Sequence, residues 1–212
     1  MDGHDHGMLG LMRATLRAPI PEHVRADFGF AALIMALFLV QVCTGIMLSL
    51  YYQPSPDAVS ESVQFIMRDV SQGWLVRGLH HWAAAGLVAM CGLHLVRVFV
   101  SARYHHGRSW IWYIGALVLL LVIASTFTGE ILGWDNSSYW RVRGLLEGLE
   151  RLPLIGAGLA DIVRGGPEVS ATTLSRTYTA HAMFVPWMVW MLLMANLALI
   201  VRDMRRINGG AA

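Results

Sequence analysis

Four long apolar stretches constrain this 212-residue chain more than any other feature of its sequence. They lie at about residues 27–52, 73–101, 110–133 and 173–201. Each is long enough to cross a hydrocarbon core about 30 Å thick as an α-helix. The composition agrees, because 56% of the residues are hydrophobic and only 14% are charged. The sequence therefore predicts an all-α integral membrane four-helix bundle over residues 27–203.

The segments outside these spans are more polar. Residues 57–72, in the first loop, and residues 139–149 and 155–163, in the third, have the periodicity of amphipathic surface helices. Residues 1–26 are predicted to form an N-terminal segment with an interfacial helix at about 8–18, and residues 204–212 a polar tail.

Charge and cysteine content narrow the class of protein. Arginines are concentrated in both terminal segments and in the link between the second and third spans. We therefore expect a multi-pass protein of the bacterial cytoplasmic (inner) membrane with both termini in the cytoplasm. The net charge of +2 is too small to favour nucleic acid as a partner. Cys43 and Cys91 both lie within spans, which argues against a disulfide framework or a CxxC metal site.

The second span carries two histidines, His80 and His94, fourteen residues apart. At roughly 100° and 1.5 Å per residue, they lie on one helix face and about 21 Å apart along the axis. Arg77 precedes His80 by three residues, and Arg97 follows His94 by three. Two imidazoles on one face, each with an arginine nearby, predict two stacked haems held through their iron and their propionates.

The fourth span supplies one partner for these histidines. His181 lies at the depth of His80, and the two are expected to be the axial ligands of one b-type haem. Opposite His94, fourteen or fifteen residues after His181, the sequence has Ala195 and Asn196. The fourth span contains no further histidine, so His94 is the only clear protein ligand of the second haem.

Glycines recur at the same spacing. Gly115 and Gly129 of the third span are fourteen residues apart, and Gly45 of the first span lies at the depth of the His80–His181 pair. Glycine lets a flat macrocycle approach the helix backbone, although membrane helices also use it for helix packing. Together with the histidine spacing, these glycines favour the haem interpretation.

Several segments resemble the cytochrome b/b6 family: FLVQVCTG, VQFIM-DVS-GWLVRGLHHW, LHLVRVF, TG-ILGWD, and IVRGGPEVSATTLSRTYTAH followed by FVPW. The resemblance covers roughly residues 20–203 and is strongest with the N-terminal, four-helix haem-binding subunit of split bc- or bf-type quinol-oxidising complexes. It implies His80 and His181 on the outer haem, His94 on the inner haem, and Arg77 and Arg97 near propionates.

The resemblance also implies a function and partners. Such a subunit takes electrons from quinol at the outer side and passes them through haem b toward cytochrome c or a related acceptor, with proton release; it is not active alone. RGGPEV would form part of the outer quinol pocket, and Glu130 is the candidate proton acceptor or, alternatively, only an interfacial charge. The implied partners are quinone, a subunit IV-like C-terminal cytochrome b half, and a Rieske iron–sulfur protein or c-type cytochrome. Dimerisation of the complex is expected from the resemblance alone.

The main departure from the family is Asn196, which stands where chloroplast-type sequences have the fourth ligating histidine. We expect an inner haem held by His94, with its sixth position open or filled by water or by another subunit; loss of this haem is the alternative. Two other functions stay open: a haem b anchor that exchanges electrons between a dehydrogenase or hydrogenase and quinone, and a haem-poor scaffold. The long loop before the fourth span argues against the anchor, and the histidine and glycine set argues against the scaffold.

Overall fold

The structure, a computed structural model, describes residues 22–101 and 109–209, with side chains for 29–101 and 109–202. The predicted interfacial helix at 8–18 and most of the arginine-rich link lie outside the described residues. The helices are α1 (Glu22–Ser49), α2 (Val59–Arg68), α3 (Gly73–Val100), α4 (Ser109–Ile131), α5 (Asn136–Glu150), α6 (Gly156–Arg164), α7 (Ala171–Thr179) and α8 (Val185–Gly209). A π-helical turn, Ala180–Phe184, joins α7 directly to α8.

Four helical segments are long and apolar enough to cross a membrane: Gly29–Ser49, Gly73–Val100, Ser109–Ile131 and Ala171–Arg202. The last of these combines α7, the π-helical turn and α8. The described part of the chain contains no strand. The predicted all-α, four-span fold is confirmed, and the three predicted surface helices are present as α2, α5 and α6.

The centre of the bundle is a layer of buried apolar side chains. In this bundle α1 packs against α3, α3 against α4, and α4 against α8. The buried side chains come from all four of these helices: Ile34, Phe38, Leu87, Cys91, Val118, Val122 and Val189. Phe38 of α1 also stacks on Trp190 of α8, with ring centroids 6.2 Å apart. Because His80 and His94 flank Leu87 and Cys91 in α3, this layer separates two ends of the bundle, called below the His80 end and the His94 end.

Large apolar side chains also cover the outside of the spans. Trp82, Val100 and Leu120 are all more than half exposed in the isolated chain. Exposed apolar surface of this extent is typical of a face that contacts a membrane or another protein. This surface is therefore suited to contact lipid or other membrane subunits, as expected for a multi-pass membrane protein.

At the His80 end, α5 begins with a well-formed cap. The Asp135 carboxylate accepts hydrogen bonds from the Ser138 N–H at 2.8 Å and from the Ser137 hydroxyl at 2.7 Å. These two bonds, with a further one from the Ser138 hydroxyl, lower the pKa of Asp135 to about 2. The cap holds α5 against the end of α4, where Val142 and Leu146 bury themselves against Ile131.

The RGG part of the RGGPEV segment ends α6 and fastens it to its neighbours. Gly165 adopts a left-handed conformation, with φ of 75°, and its N–H bonds to the Asp161 carbonyl at 2.8 Å. Arg164 forms ion pairs with Glu150 and with Asp161, the latter at 3.2 Å. Arg176 of α7 donates to the Ile162 carbonyl, near the C-terminal end of α6. The positive charge of Arg176 at the C-terminal end of α6 also interacts favourably with the dipole of that helix.

We predict that Gly165→Ala destabilises the connection between α6 and α7 and that Gly166→Ala does not. A Cβ at residue 165 would lie 2.6 Å from Thr172 Cγ2 and would require a left-handed backbone, which costs a non-glycine residue about 1–2 kcal/mol. A Cβ at residue 166 meets nothing within 4 Å. Limited proteolysis and thermal unfolding of the solubilised protein measure the difference. Equal behaviour of the two variants would contradict this account of the motif.

Candidate functional site

His80 of α3 and His181 of the π-helical turn lie side by side within the bundle. Their ring centroids are 6.2 Å apart and their planes are inclined by 70°. A metal ion between two imidazoles needs a metal–nitrogen bond of about 2 Å on each side, and the rest of the separation lies within the rings. The spacing of His80 and His181 therefore suits one metal ion bound axially by both.

The number of protein ligands at this site distinguishes a haem from a bare metal ion. No group of three or more His, Cys, Asp or Glu side chains able to hold a metal occurs among the residues described. Two axial imidazoles are a sufficient protein ligand set for iron that already carries four porphyrin nitrogens. The site thus fits a haem better than a bare metal ion.

The tautomer of His181 is determined by its partners in α4. Its Nδ1 lies 3.0 Å from the Ser125 carbonyl oxygen and 3.1 Å from Thr128 Oγ1. A carbonyl oxygen can only accept a hydrogen bond, so Nδ1 must carry the proton. The lone pair then resides on Nε2, which is the ring nitrogen able to bind a metal.

The same argument applies to His80 and α1. Thr44 Oγ1 lies 2.9 Å from His80 Nδ1 and 2.6 Å from the Val40 carbonyl oxygen. Because the hydroxyl proton is donated to Val40, the oxygen accepts from Nδ1–H. Both imidazoles therefore have Nδ1 engaged with a neighbouring helix and Nε2 available for a metal.

Glycines give these two imidazoles room. A Cβ at Gly129 would lie 2.8 Å from His181 Cε1, and a Cβ at Gly45 would lie 3.3 Å from His80 Cε1. The sequence predicted these glycines beside a flat macrocycle, whereas in the structure their immediate neighbours are the rings. Each follows a threonine, Thr44 or Thr128, that bonds the same ring. The repeated Thr-Gly pair is a visible sign in the sequence of a position that contacts an imidazole. Only its glycine was predicted to contribute.

The His94 end is built differently. The Phe30 ring of α1 lies 5.6 Å from the His94 ring, and the Arg97 guanidinium lies 6.0 Å from the centroid of Phe30. Phe30 precedes Thr44 by fourteen residues and therefore lies on the same face of α1. It occupies at the His94 end the position that Thr44 occupies at the His80 end. Phe30 was not identified from the sequence.

Asn196 of α8 lies against α4 at this end. Its Nδ2 donates to the Ile111 carbonyl at 3.3 Å, and a Cβ at Gly115 would lie 3.7 Å from Nδ2. Ile111 precedes Gly115 by four residues, as Ser125 precedes Gly129. Asn196 therefore makes, at the His94 end, the same kind of contact with α4 that His181 makes at the His80 end.

The π-helical turn explains why Asn196 rather than Ala195 takes this position. The Val185 N–H bonds to the Ala180 carbonyl, five residues back, which places one extra residue in the turn. The fifteenth residue after His181 then has the register that the fourteenth would have in an uninterrupted α-helix. Pro186, just after the turn, cannot donate to the regular helical pattern and favours such an interruption. Ala195 is exposed on the outside of the bundle.

Arg77 and Glu130, which were singled out in the sequence, lie at the periphery of the His80 end together with His81. Arg77 is exposed, and its nitrogen lies 3.8 Å from Met67 Sδ. The Glu130 carboxylate forms an ion pair with Arg141 at 3.3 Å, and 42% of its side chain is exposed. His81 is exposed and packs edge-on against Trp82, at 5.4 Å between centroids.

A crevice of about 310 Å³ opens between the first and third loops at this end. Its lining residues are Pro56, Trp134, Asp135, Tyr139, Val169 and Ser170. Of the RGGPEV segment only Val169 lines this crevice, because Arg164 and Gly165 are used in closing α6. The assignment of RGGPEV to a quinol pocket remains a prediction.

Comparisons with known proteins agree with this arrangement. The family model described as cytochrome b/b6/petB matches residues 15–204. The chain belongs to the cytochrome b/b6 family. It is 33% identical to cytochrome b6 of Mastigocladus laminosus and 34% identical to cytochrome b6 of Cyanidium caldarium, each over 181 residues, or 85% of this chain and 84% of the relative.

A solved structure shares the fold of this cytochrome b/b6 family member. A chain of the hyperthermophilic respiratory Complex III superposes with a TM-score of 0.74 and 26% sequence identity. The match covers 91% of the present chain and 55% of the Complex III chain. This chain thus spans about half the length of that structural relative.

We predict a graded effect of alanine at three glycines on the His80–His181 site. Gly129→Ala should displace the His181 ring and cause the largest loss of low-spin haem absorbance, because its Cβ would come within 2.8 Å of Cε1. Gly45→Ala, at 3.3 Å, should have a smaller effect. Gly78→Ala, where a Cβ meets nothing within 4 Å, is the control. If all three variants retain wild-type spectra, the rings are not held as described.

Proposed function

We propose that this chain is the haem b subunit of a membrane quinol oxidoreductase and carries electrons from an outer quinol site through haem b. The observation that carries the proposal is the opposed His80–His181 pair, in which both Nδ1 atoms are fixed and both Nε2 atoms are available. A haem b bound there supplies one-electron oxidation and reduction. The His80 end is assigned to the outer side by the arginine distribution, with both termini in the cytoplasm.

The residues of this chain define what the outer site does. Two imidazole ligands leave no iron position open, so the site is suited to electron transfer and not to binding small ligands. Thr44 and the Ser125 carbonyl hold the rings in place, which limits rearrangement when the charge on the site changes. Arg77 would supply a positive charge for a haem propionate, because it lies one helical turn from His80.

We predict that His181→Leu abolishes the outer low-spin haem signal. Leucine cannot bind iron, and the Ser125 and Thr128 oxygens of α4 lose their nitrogen donor. His81→Leu is the matched control, because His81 is a neighbouring but exposed histidine. Electron paramagnetic resonance of the purified complex measures the outcome. A surviving outer low-spin signal in His181→Leu would show that the ligand assignment is wrong.

The proposed partners are the other subunits of a quinol-oxidising complex. The chain matches 84% of a cytochrome b6 relative and 55% of the Complex III chain, which supports a partner subunit of the b6 type that carries the C-terminal cytochrome b half. A Rieske iron–sulfur protein or c-type cytochrome at the outer side would accept the quinol electron that does not pass to haem b. Glu130 stays a candidate proton acceptor in this scheme, and the Arg141 ion pair would then have to open or relay the proton.

A haem b anchor for a dehydrogenase or hydrogenase is the second candidate. The family match over residues 15–204, including the whole α5–α6–α7 region, favours the quinol oxidoreductase. Copurified subunits distinguish the two functions, since an anchor should bring a dehydrogenase and no Rieske protein.

The inner site is proposed to hold a second haem b through His94 alone. Asn196 stands in the register of the missing histidine, and its Nδ2 is already engaged with the Ile111 carbonyl. An asparagine side chain is a poor iron ligand and is shorter than histidine. With a haem bound through His94, the coordination position toward α8 would be open to water, an added ligand or a group from another subunit. While that position is open or holds water, the iron would be high-spin.

We predict that the wild-type inner haem binds carbon monoxide or cyanide and that Asn196→His abolishes this binding. A histidine at residue 196 can repeat the Nδ1 hydrogen bond to Ile111 and direct Nε2 to the iron, which converts the haem to low-spin. Ala195→His is the control, because its exposed side chain points away from the pocket. Two fully low-spin, ligand-inert haems in the wild-type subunit would contradict the open inner site.

A further inference from the structure

The side chains with which α6 packs against α5 are small. Gly156 and Ala160 are the buried residues of α6, and Val163 is partly buried beside them. A Cβ at Gly156 would collide with the Leu149 carbonyl of α5, so only glycine allows this close approach. The large apolar side chains of this segment are exposed instead: Ile155, Leu159 and Ile162. A helix whose outer face meets only water has the opposite distribution.

The loop before α6 adds two exposed leucines, Leu152 and Leu154. Leu154 is fully exposed and has a φ of 71°, in the left-handed region that residues other than glycine rarely adopt. The loop thus holds an unfavourable backbone conformation at a leucine whose side chain gains no burial within this chain. Backbone strain of this kind is typical of functional segments. The five exposed residues are called the apolar patch below: Leu152, Leu154, Ile155, Leu159 and Ile162.

The apolar patch lies beside the ends of two membrane spans. Ala160, on the inner face of α6, packs in a buried cluster with Ile131, the last residue of α4, and with Phe127, which lies one turn earlier in the third span. At the other end of α6, Arg176 donates to the Ile162 carbonyl. Arg176 belongs to α7, with which the fourth span begins. The patch therefore adjoins the membrane at the His80 end, where lipid headgroups meet the hydrocarbon core.

The outer face of the neighbouring helix α5 has a different composition. From residue 141 to residue 150 its exposed positions carry charged side chains and glycine, with no large apolar side chain. The carboxylates of α5 and α6 all form ion pairs with arginines of the same two helices: Glu147, Glu150 and Asp161. Arg151, at the end of α5, is exposed and forms no ion pair within the described part of the chain. The outer face of α5 is therefore suited to water, whereas the apolar patch is bordered by the positive charge of Arg151.

We propose that the apolar patch inserts into the lipid leaflet at the His80 end and that Arg151 binds the phosphate of an anionic lipid there. Lipid fits as the occupant because the patch continues the membrane-facing surface of the third and fourth spans and is bordered by a cation. The apolar side chains of an interfacial helix enter the region between headgroups and acyl chains, while a neighbouring arginine stays at the level of the headgroups. This inference depends neither on the proposed haems nor on the quinol reaction.

The test of the apolar patch uses the purified complex in nanodiscs of mixed phosphatidylcholine and phosphatidylglycerol. The photoreactive residue p-benzoylphenylalanine replaces Leu154, Ile162 or, as the control, Gly144. Gly144 lies on the exposed face of α5, and a Cβ there meets nothing within 4 Å. After illumination, mass spectrometry identifies the molecule bound to each label. The labels at residues 154 and 162 should form adducts with phospholipid, and the label at residue 144 should not.

The test of Arg151 compares the lipids bound to the label at residue 154. In Arg151→Gln the ratio of phosphatidylglycerol to phosphatidylcholine adducts should fall about twofold to fivefold, because one cation near the headgroups is lost. Arg143→Gln is the matched control, since Arg143 is already paired with Glu147, and should leave the ratio unchanged. An unchanged ratio in Arg151→Gln would show that Arg151 does not bind the anionic lipid.

Three outcomes overturn the insertion of the patch. Adducts with another subunit at residues 154 and 162 would show that the patch is a protein interface. Absence of adducts at both positions would show that it faces water. Lipid adducts of equal yield at residue 144 would show that the patch has no preference for lipid over the charged face of α5. The two labels are independent, so if one variant does not assemble, the other still decides.

Discussion

The hydrogen bonds of the two Nδ1 atoms are the interactions on which the arrangement at the His80 end depends. His80 ties α3 to α1 through Thr44, and His181 ties the π-helical turn to α4 through Ser125. Each bond is worth only about 0.5–1.5 kcal/mol net, but its loss would leave a buried donor unsatisfied. The bonds also fix both tautomers and the direction of both Nε2 atoms. The same four groups therefore connect the helices and would orient both imidazoles for a metal. They are the side chains of Thr44, His80 and His181 and the carbonyl of Ser125.

The two ends of the bundle repeat one pattern with different chemistry. Moving fourteen residues along α1 replaces Thr44 and Gly45 by Phe30 and Ala31, and moving fourteen residues along α4 replaces Thr128 by Ile114. The hydroxyl acceptors of the His80 end thus have apolar counterparts at the His94 end, where Phe30 lies 5.6 Å from the His94 ring. The fourteen-residue repeat determines where His80 and His94 lie along the bundle, whereas the neighbouring side chains determine how polar the surroundings of each histidine are.

Much of this organisation was predictable from the sequence because it depends on periodicity. Span length identified the four helices, and the fourteen-residue interval identified the two levels of His80 and His94. The π-helical turn was not predictable in this way, because it changes backbone hydrogen bonding without an unambiguous residue pattern. The spacing therefore left Ala195 and Asn196 as alternatives, and only the resemblance to a family favoured Asn196. The hydrogen bonds of Thr44 and Thr128 were missed because threonine in a membrane helix usually bonds its own backbone, which both residues also do.

At position 196, the contribution of a side chain to helix packing can be separated from its contribution to metal binding. A histidine in the register of His181 contributes to the fold through Nδ1, which bonds a carbonyl of α4 beside a glycine, and to metal binding through Nε2. The amide of Asn196 reproduces the first contribution, with Nδ2 on the Ile111 carbonyl and Gly115 alongside, but has no atom that can reproduce the second. Substitution at this position can therefore remove an iron ligand while α4 and α8 keep their contact.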